Sequence, residues 1–212
     1  MILNRQQLEK EIANYTFSDY FKSHFHTEHL LEFFEYGYKT DFIQYQFNDD
    51  QLVEIDSLQK IIHQATTFSK LESEMARREF IVSPILFHLS YLIDFEVYSE
   101  ESIYYSDNLR GKLDYLLKTD NHFIIIEAKK NDIEVGGVKQ LCMELITLDK
   151  IIDATQPFLY GAVTIGTEWG FCFLDRKEKI IFRDLNKYVI PDRLKDILQI
   201  LLNMLGSNLS FK

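Results

Sequence analysis

The stretch of sequence that decides the fold runs from Gly111 to Lys130 and reads GKLDYLLKTDNHFIIIEAKK. Its two apolar runs predict two β-strands, and the polar residues between them predict a tight turn. If Asp120 and Asn121 form a two-residue hairpin loop, the pairing register places Asp114 of the first strand opposite Glu127 of the second. The sequence therefore predicts two carboxylates that face each other across an otherwise apolar hairpin.

Such a carboxylate pair is unfavourable unless something neutralises it. Like charges in directly opposite positions repel each other, and apolar surroundings raise the cost. A divalent cation reverses the sign, because oxygen ligands on neighbouring strands suit Mg²⁺ or Mn²⁺. Lys129 lies two residues beyond Glu127, so strand alternation puts both side chains on one face. An acid pair that binds a metal beside an ammonium group is suited to hydrolysing a phosphodiester.

Length and composition predict a soluble, cytoplasmic protein without a membrane anchor. The chain has 212 residues, which suits one domain with a decoration or two compact subdomains. No apolar run approaches the roughly 20 residues of a membrane-spanning helix, and the N-terminal residues lack the features of a signal peptide. Cys142 and Cys172 have no metal-binding spacing, which favours two buried thiols in a reducing compartment.

The net charge of −10 opposes a nucleic-acid substrate. A phosphate backbone is repelled on average by an acidic surface, and cations bound at the carboxylates relieve only part of that repulsion. Contact with DNA therefore requires a local basic patch or a partner protein that supplies the affinity.

The first part of the chain predicts helices. Residues 5–47 are rich in aromatic side chains and predict two or three short helices that end near Gly37. An apolar stripe at helical spacing predicts a longer helix from Ser57 to about Val82, with Asp56 or Ser57 as its N-cap.

The later part of the chain mixes predicted strands and helices. Pro84 kinks the preceding helix or starts a new turn, and residues 85–92 continue as a helix. Further helices are predicted at residues 138–154 and 192–205. The strands predicted besides the hairpin are residues 95–98, 103–105, 158–165, 170–174 and 180–182.

This order of elements predicts an α+β fold, with a central mixed sheet flanked by helices. Residues 1–55 are expected to form an N-terminal helical extension, and residues 56–212 the core.

With the hairpin placed, the sequence resembles the PD-(D/E)XK nuclease superfamily. The signature of that superfamily is an Asp near a strand end and an acid-x-Lys motif on the next strand. The matching positions are Asp114 and Glu127-Ala128-Lys129, while Leu113 stands where a Pro is usual. The resemblance implies an α/β/α, restriction-endonuclease-like arrangement of the core.

A second stretch, ESEMARREFIVSPIL at residues 72–86, narrows the resemblance. It is similar to the helix before the sheet in the nuclease domain of type I restriction enzyme R subunits and related stand-alone endonucleases. In that family the helix supplies a further acid, which maps onto Glu74. A Gln-x-x-x-Tyr motif often follows the Lys. Gln140 matches its Gln, but Glu144 stands where the Tyr is expected.

The resemblance implies a Mg²⁺- or Mn²⁺-dependent nuclease that acts on DNA, without a helicase motor. Asp114, Glu127, the backbone carbonyl of Ala128 and Glu74 would hold the cation. Lys129 would orient a water molecule or stabilise charge on the phosphate, and Gln140 would orient the substrate. A homodimer is a further expectation, because specific cutters of duplex DNA usually dimerise.

Several alternatives stay open at the level of sequence. The protein could be an inactive binding module of the same fold, or a metal-dependent enzyme for another phosphate ester. Converging carboxylates favour the enzyme, and a Lys129 salt bridge in the place of the cation favours the module. Glu74 could simply pair with Arg77 or Arg78 on a helix surface. The histidines at positions 24, 26 and 29 match no zinc motif.

Overall fold

The central feature of the computed structural model, which describes residues 5–47, 55–153 and 155–206, is a mixed sheet of eight strands. Seven strands run in the order β1-β7-β6-β5-β4-β3-β2, and β8 pairs with β6. The strands are β1 (Gly37–Asp41), β2 (Glu96–Ser106), β3 (Leu109–Lys118), β4 (Phe123–Ala128), β5 (Phe158–Thr164), β6 (Glu168–Asp175), β7 (Ile180–Asp184) and β8 (Tyr188–Val189).

Helices cover both faces of this sheet, so the predicted α+β fold with a central mixed sheet is confirmed. The helices are α1 (Arg5–Ile12), α2 (Phe17–Lys22), α3 (Thr27–Phe33), α4 (Ile55–Phe68), α5 (Glu74–Arg77), α6 (Ser83–Leu89), α7 (Val138–Ile151) and α8 (Leu194–Gly206). Two π-helical turns, Arg78–Val82 and Ile133–Gly137, lead directly into α6 and α7.

The hairpin β3–β4 has the register that the sequence predicts. Lys118 pairs with Phe123 and Tyr115 with Ile126, and the loop between them is closed by the bond from the Thr119 N–H to the His122 carbonyl. Continuing this register by one step brings Asp114 opposite Glu127.

Strand β4 is buried on both faces, which explains its continuous apolar run. Ile124 and Ile126 pack with α4, α6 and α8 on one side of the sheet. Ile125 packs on the other side with α7 and the three N-terminal helices. Because Glu127 is two residues from Ile125, its side chain lies on the α7 side of the sheet.

The aromatic N-terminal segment belongs to the core on the α7 side. Phe17, Tyr20 and Phe25 are buried, and the other aromatic residues between positions 15 and 38 are buried or half-buried. The prediction of two or three short helices before Gly37 is confirmed. An exposed aromatic patch, which would have indicated a partner interface, is not present among these residues.

Three secondary-structure predictions are wrong in detail. The helix predicted from Ser57 to Val82 is interrupted after Phe68, and α4 begins at Ile55 instead of after an N-cap at Asp56 or Ser57. The two strands predicted at 95–98 and 103–105 are one strand, β2. Strands β1 and β8 were not predicted. Residue 154, the predicted end of α7, lies outside the described residues, and α7 ends at Ile151.

None of the helices in the described part of the chain is both long enough and apolar enough to cross a membrane.

Candidate metal-binding site at the β3–β4 hairpin

The candidate site begins where β3 and β4 stop pairing through their backbones. Beyond Tyr115 the Asp114 side chain replaces a backbone acceptor, because its Oδ2 accepts the Ala128 N–H at 2.8 Å. Glu100, in β2, has a positive φ of 56° at the same level of the sheet. The pairing of β2 with β3 skips Glu100 and Asp114 at this level.

The charge of Asp114 is neutralised by Arg78, which follows α5. Its Nη1 donates to Asp114 Oδ1 at 3.0 Å and also to Glu100 Oε1. Arg78 is the first residue of the π-helical turn that follows α5, and such turns often occur at functional sites. The sequence suggested a surface ion pair with Glu74, but both arginines bind elsewhere. Arg77 donates to the backbone carbonyls of residues 71, 130 and 165.

Glu127 is the centre of the site and is only 3% exposed. Its Oε1 accepts hydrogen bonds from Lys129 Nζ at 2.5 Å and from Gln140 Nε2 at 2.6 Å. Its buried Oε2 has no hydrogen-bond partner among the described residues. The predicted placement of Glu127 and Lys129 on one face is therefore confirmed, and one carboxylate oxygen is left for a further ligand.

Lys129 is held between Glu127 and an aromatic ring. Its ammonium lies 5.1 Å from the centre of the Phe21 ring, which α2 supplies. Burial acts to lower the pKa of Lys129, but the charges of Glu127, Glu144 and Glu74 outweigh it and raise the pKa. The raised pKa favours the charged form of Lys129.

Gln140 and Glu144 extend the site into α7. Gln140 Nε2 donates to Glu144 Oε1 at 2.8 Å as well as to Glu127. Glu144 is fully buried, and Gln140 is 3% exposed. Gln140, predicted from the resemblance, does contact the acid site. Glu144 was noted only as a departure from the motif, although its position one helical turn after Gln140 was the signal.

Three carboxyl groups of the site, those of the buried Glu127 and Glu144 and of the half-buried Asp114, have raised pKa values. Burial, followed by the charge of Asp114, raises the pKa of Glu127 to about 7, although Lys129 acts in the opposite direction. Burial, followed by the charge of Glu127, raises the pKa of Glu144 well above its ordinary range. Burial also raises the pKa of Asp114 in spite of the Arg78 guanidinium.

Glu74 lies at the edge of the site. It is half-buried in the first turn of α5, whose N-cap Ser73 accepts the Ala76 N–H. Its charge contributes to raising the pKa values of Asp114 and Lys129, so it acts on the site electrostatically. Glu74 therefore lies near Asp114 and Lys129, and its role as a metal ligand stays a prediction.

Two contacts in the site were not predicted from the sequence. Arg78 had been considered only as a neighbour of Glu74, and Phe21 is far from Lys129 along the chain. No local pattern marks Phe21.

The donors suit a hard cation, although the present side-chain positions do not form a complete cage. Within residues 5–47, 55–153 and 155–206, no three His, Cys, Asp or Glu side chains are placed to hold a metal ion. Mg²⁺ does not require three, since it usually keeps several water molecules and takes one or two carboxylates plus substrate phosphates. The unpartnered Glu127 Oε2, beside Asp114, fits that requirement.

Comparisons with protein-family models, with curated proteins and with solved structures found no match to this chain.

Proposed function

We propose that the protein is a divalent-metal-dependent nuclease that hydrolyses phosphodiester bonds in DNA with a PD-(D/E)XK-type site. The observation that carries this proposal is the β3–β4 register, which brings Asp114, Glu127 and Lys129 into one buried cluster with an unpartnered carboxylate oxygen. The order of a helix with Glu74, the hairpin and a helix with Gln140 agrees with the resemblance in the sequence.

The chain's own residues have distinct parts in this proposal. Asp114, Glu127 and the carbonyl of Ala128 would hold Mg²⁺ or Mn²⁺, with Glu74 contributing through water. When bound, the cation would polarise the scissile phosphate and supply an activated water. The Lys129 ammonium stabilises negative charge that develops on the phosphate. Gln140 fixes the orientation of the Glu127 carboxylate through its Nε2.

The acidic surface bears on how the substrate is reached. With a net charge of −10, the chain gains little from non-specific attraction to phosphates. We therefore expect DNA affinity to come from a protein partner or from a second copy of the chain, in a reducing cytoplasm that keeps the buried Cys142 and Cys172 free.

The direct test is to incubate the purified chain with supercoiled plasmid, single-stranded DNA and RNA, each with Mg²⁺, Mn²⁺ or EDTA. We expect metal-dependent cleavage that Glu127→Ala abolishes. Glu72→Ala, which changes an exposed glutamate before α5, is the matched control and should cleave like the unchanged chain. Equal cleavage by the Glu127→Ala protein would refute the proposal.

A second candidate is a binding module that keeps this fold without the chemistry. The specific observation in its favour is that cations of the chain already occupy both acids, Lys129 on Glu127 and Arg78 on Asp114. This candidate predicts no cleavage of any substrate under any of these conditions and no Mn²⁺ binding in calorimetry.

A further inference from the structure

Three buried oxygen atoms on the α7 side of the site lack hydrogen-bond partners. They are Glu127 Oε2, Gln140 Oε1 and Glu144 Oε2, and none finds a donor in the part of the chain that the structure describes. Buried polar atoms are nearly always paired, so three in one cluster require an explanation.

The amide donors among these side chains are already in use. Gln140 has one amide nitrogen, and that nitrogen already serves both Glu127 and Glu144. When both carboxyl groups are ionised, the atoms that remain are two carboxylate oxygens and an amide carbonyl, all of them acceptors. Acceptors cannot satisfy one another, and what they lack in common is a cation or a donor.

The geometry brings these three side chains together. Gln140 and Glu144 lie one turn apart on the same side of α7, and one nitrogen contacts an oxygen of each carboxylate. Glu127 reaches this helix because it points to the α7 side of β4. Among the described residues, Lys129 is the one ammonium group that contacts these three side chains. It bonds to Glu127 Oε1, and Glu144 has no ion pair in this part of the chain.

Asp114 has a different environment. Both of its oxygens are engaged, one by Arg78 and the other by the Ala128 N–H. The unpartnered oxygen atoms of the site therefore belong to Glu127 and to two residues of α7, one of which, Glu144, stands where the resemblance expects a tyrosine.

We propose that Glu127, Gln140 and Glu144 form a second divalent-cation position, of the hard Mg²⁺ or Mn²⁺ class, on the α7 side of Glu127. An all-oxygen set of two carboxylates and an amide carbonyl matches this class of ion. Glu127 is then the ligand shared with the position at Asp114. This inference deepens the proposed function and rests on it for the identity of the first cation.

The test counts bound Mn²⁺ on the full chain without nucleic acid, by titration calorimetry and by electron paramagnetic resonance of free Mn²⁺. We expect two ions for the unchanged chain and one for Glu144→Gln, which keeps the shape of the side chain but removes its charge. Asp114→Asn should also retain one ion, and that ion should be lost in the double variant. Glu72→Gln, at an exposed site, should bind like the unchanged chain.

Circular dichroism and thermal unfolding identify any variant that does not fold. In that case Gln140→Met, which removes the carbonyl ligand and keeps the length of the side chain, serves instead and should also lose one ion. Equal stoichiometry and affinity in the unchanged chain and in a folded Glu144→Gln or Gln140→Met protein would overturn the inference, because a proton or a water would then satisfy Glu144.

The outcomes separate this inference from the proposed function. Two Mn²⁺ ions that depend on Glu144, in a chain that cleaves nothing, would support the cation position and refute the nuclease. Cleavage that depends on Glu127, together with Mn²⁺ binding that does not depend on Glu144, would support the nuclease and refute the second cation position.

Discussion

At the scale of single residues, Lys129 separates charge stabilisation from metal binding. Its ammonium contacts Glu127 Oε1, while Oε2 stays free for a ligand. We expect Lys129→Met to lower the rate of DNA cleavage by about 100-fold, a loss typical of removing one stabilising charge or donor. Mn²⁺ affinity should be equal or higher, because no oxygen ligand is lost and a repelling cation is removed.

Lys130→Met is the matched control, since Lys130 is the exposed neighbour. Its cleavage rate and its Mn²⁺ affinity, measured by calorimetry, should stay unchanged. A Lys129→Met protein that no longer binds Mn²⁺ would assign Lys129 a structural role instead.

The raised pKa of Glu127 makes the stability of the metal-free protein depend on pH. Its pKa is about 7 in the folded chain against an ordinary 4.5, so the folded state holds the proton over a range in which the unfolded state has lost it. The contribution of Glu127 is therefore fully present below pH 4.5 and declines as the pH rises toward 7. The total change is about 3 kcal/mol, at about 1.4 kcal/mol per pKa unit.

Urea unfolding in EDTA between pH 4.5 and 8 measures this effect. The free energy of unfolding of the unchanged chain should fall relative to that of Glu127→Gln as the pH rises, because the glutamine does not titrate. A difference between the two proteins that is constant with pH would contradict the expected burial of the charge.

The residues of the site were predictable where they share a hairpin. Strand alternation and a two-residue loop are local rules, so Asp114, Glu127 and Lys129 could be placed from the sequence. Arg78, Phe21 and the environment of Glu144 depend on how helices pack on the sheet, which no local spacing determines.

At the scale of secondary-structure elements, Gly111 fixes the contact between α2 and β3. Its φ is +155°, and a Cβ built there would lie 2.5 Å from the Phe17 ring. We expect Gly111→Ala to destabilise the protein by about 1–3 kcal/mol, as overpacking does. The cause is that the buried Phe17 must move or the strand must shift.

Gly170→Ala is the matched control for this substitution. A Cβ there would meet Val163 Cγ1 at 3.7 Å, which is ordinary contact. Thermal unfolding should show a clearly lower Tm for Gly111→Ala than for Gly170→Ala. Equal Tm values for the two variants would show that α2 does not pack firmly on β3.

The elements that were predicted well have strong internal patterns, and those that were missed do not. The helices on the α7 side and the strands of the sheet centre follow apolar periods. Strand β1 is nearly all exposed, so it has no alternation to detect. The start of α5 has a local signal, because Ser73 is its N-cap. The apolar stripe continues through Ser73, so the pattern of the sequence predicted a single helix.

At the scale of the whole molecule, the N-terminal helices complete the core on the α7 side. Leu8, Leu30 and Leu31 are buried in the same cluster as Leu113 and Leu141. We expect a chain of residues 56–212 to lack a cooperative unfolding transition, since removing the helices exposes that face of the sheet to water.

Calorimetry and dye binding on this fragment, beside the full chain, would test the expectation. A fragment with a sharp transition and no dye binding would instead support residues 1–55 as a separable extension, the division that the sequence suggested.

The pairing of β1 with β7 has a consequence for the order in which the sheet folds. Residues 37–41 pair with residues 180–184, so this strand of the N-terminal part pairs with a strand that is synthesised much later. The β3–β4 hairpin joins residues close in the chain and needs no such delay, since local pairing forms on a microsecond scale. We therefore expect the acid-bearing hairpin to pair earlier in folding than the β1–β7 edge of the sheet.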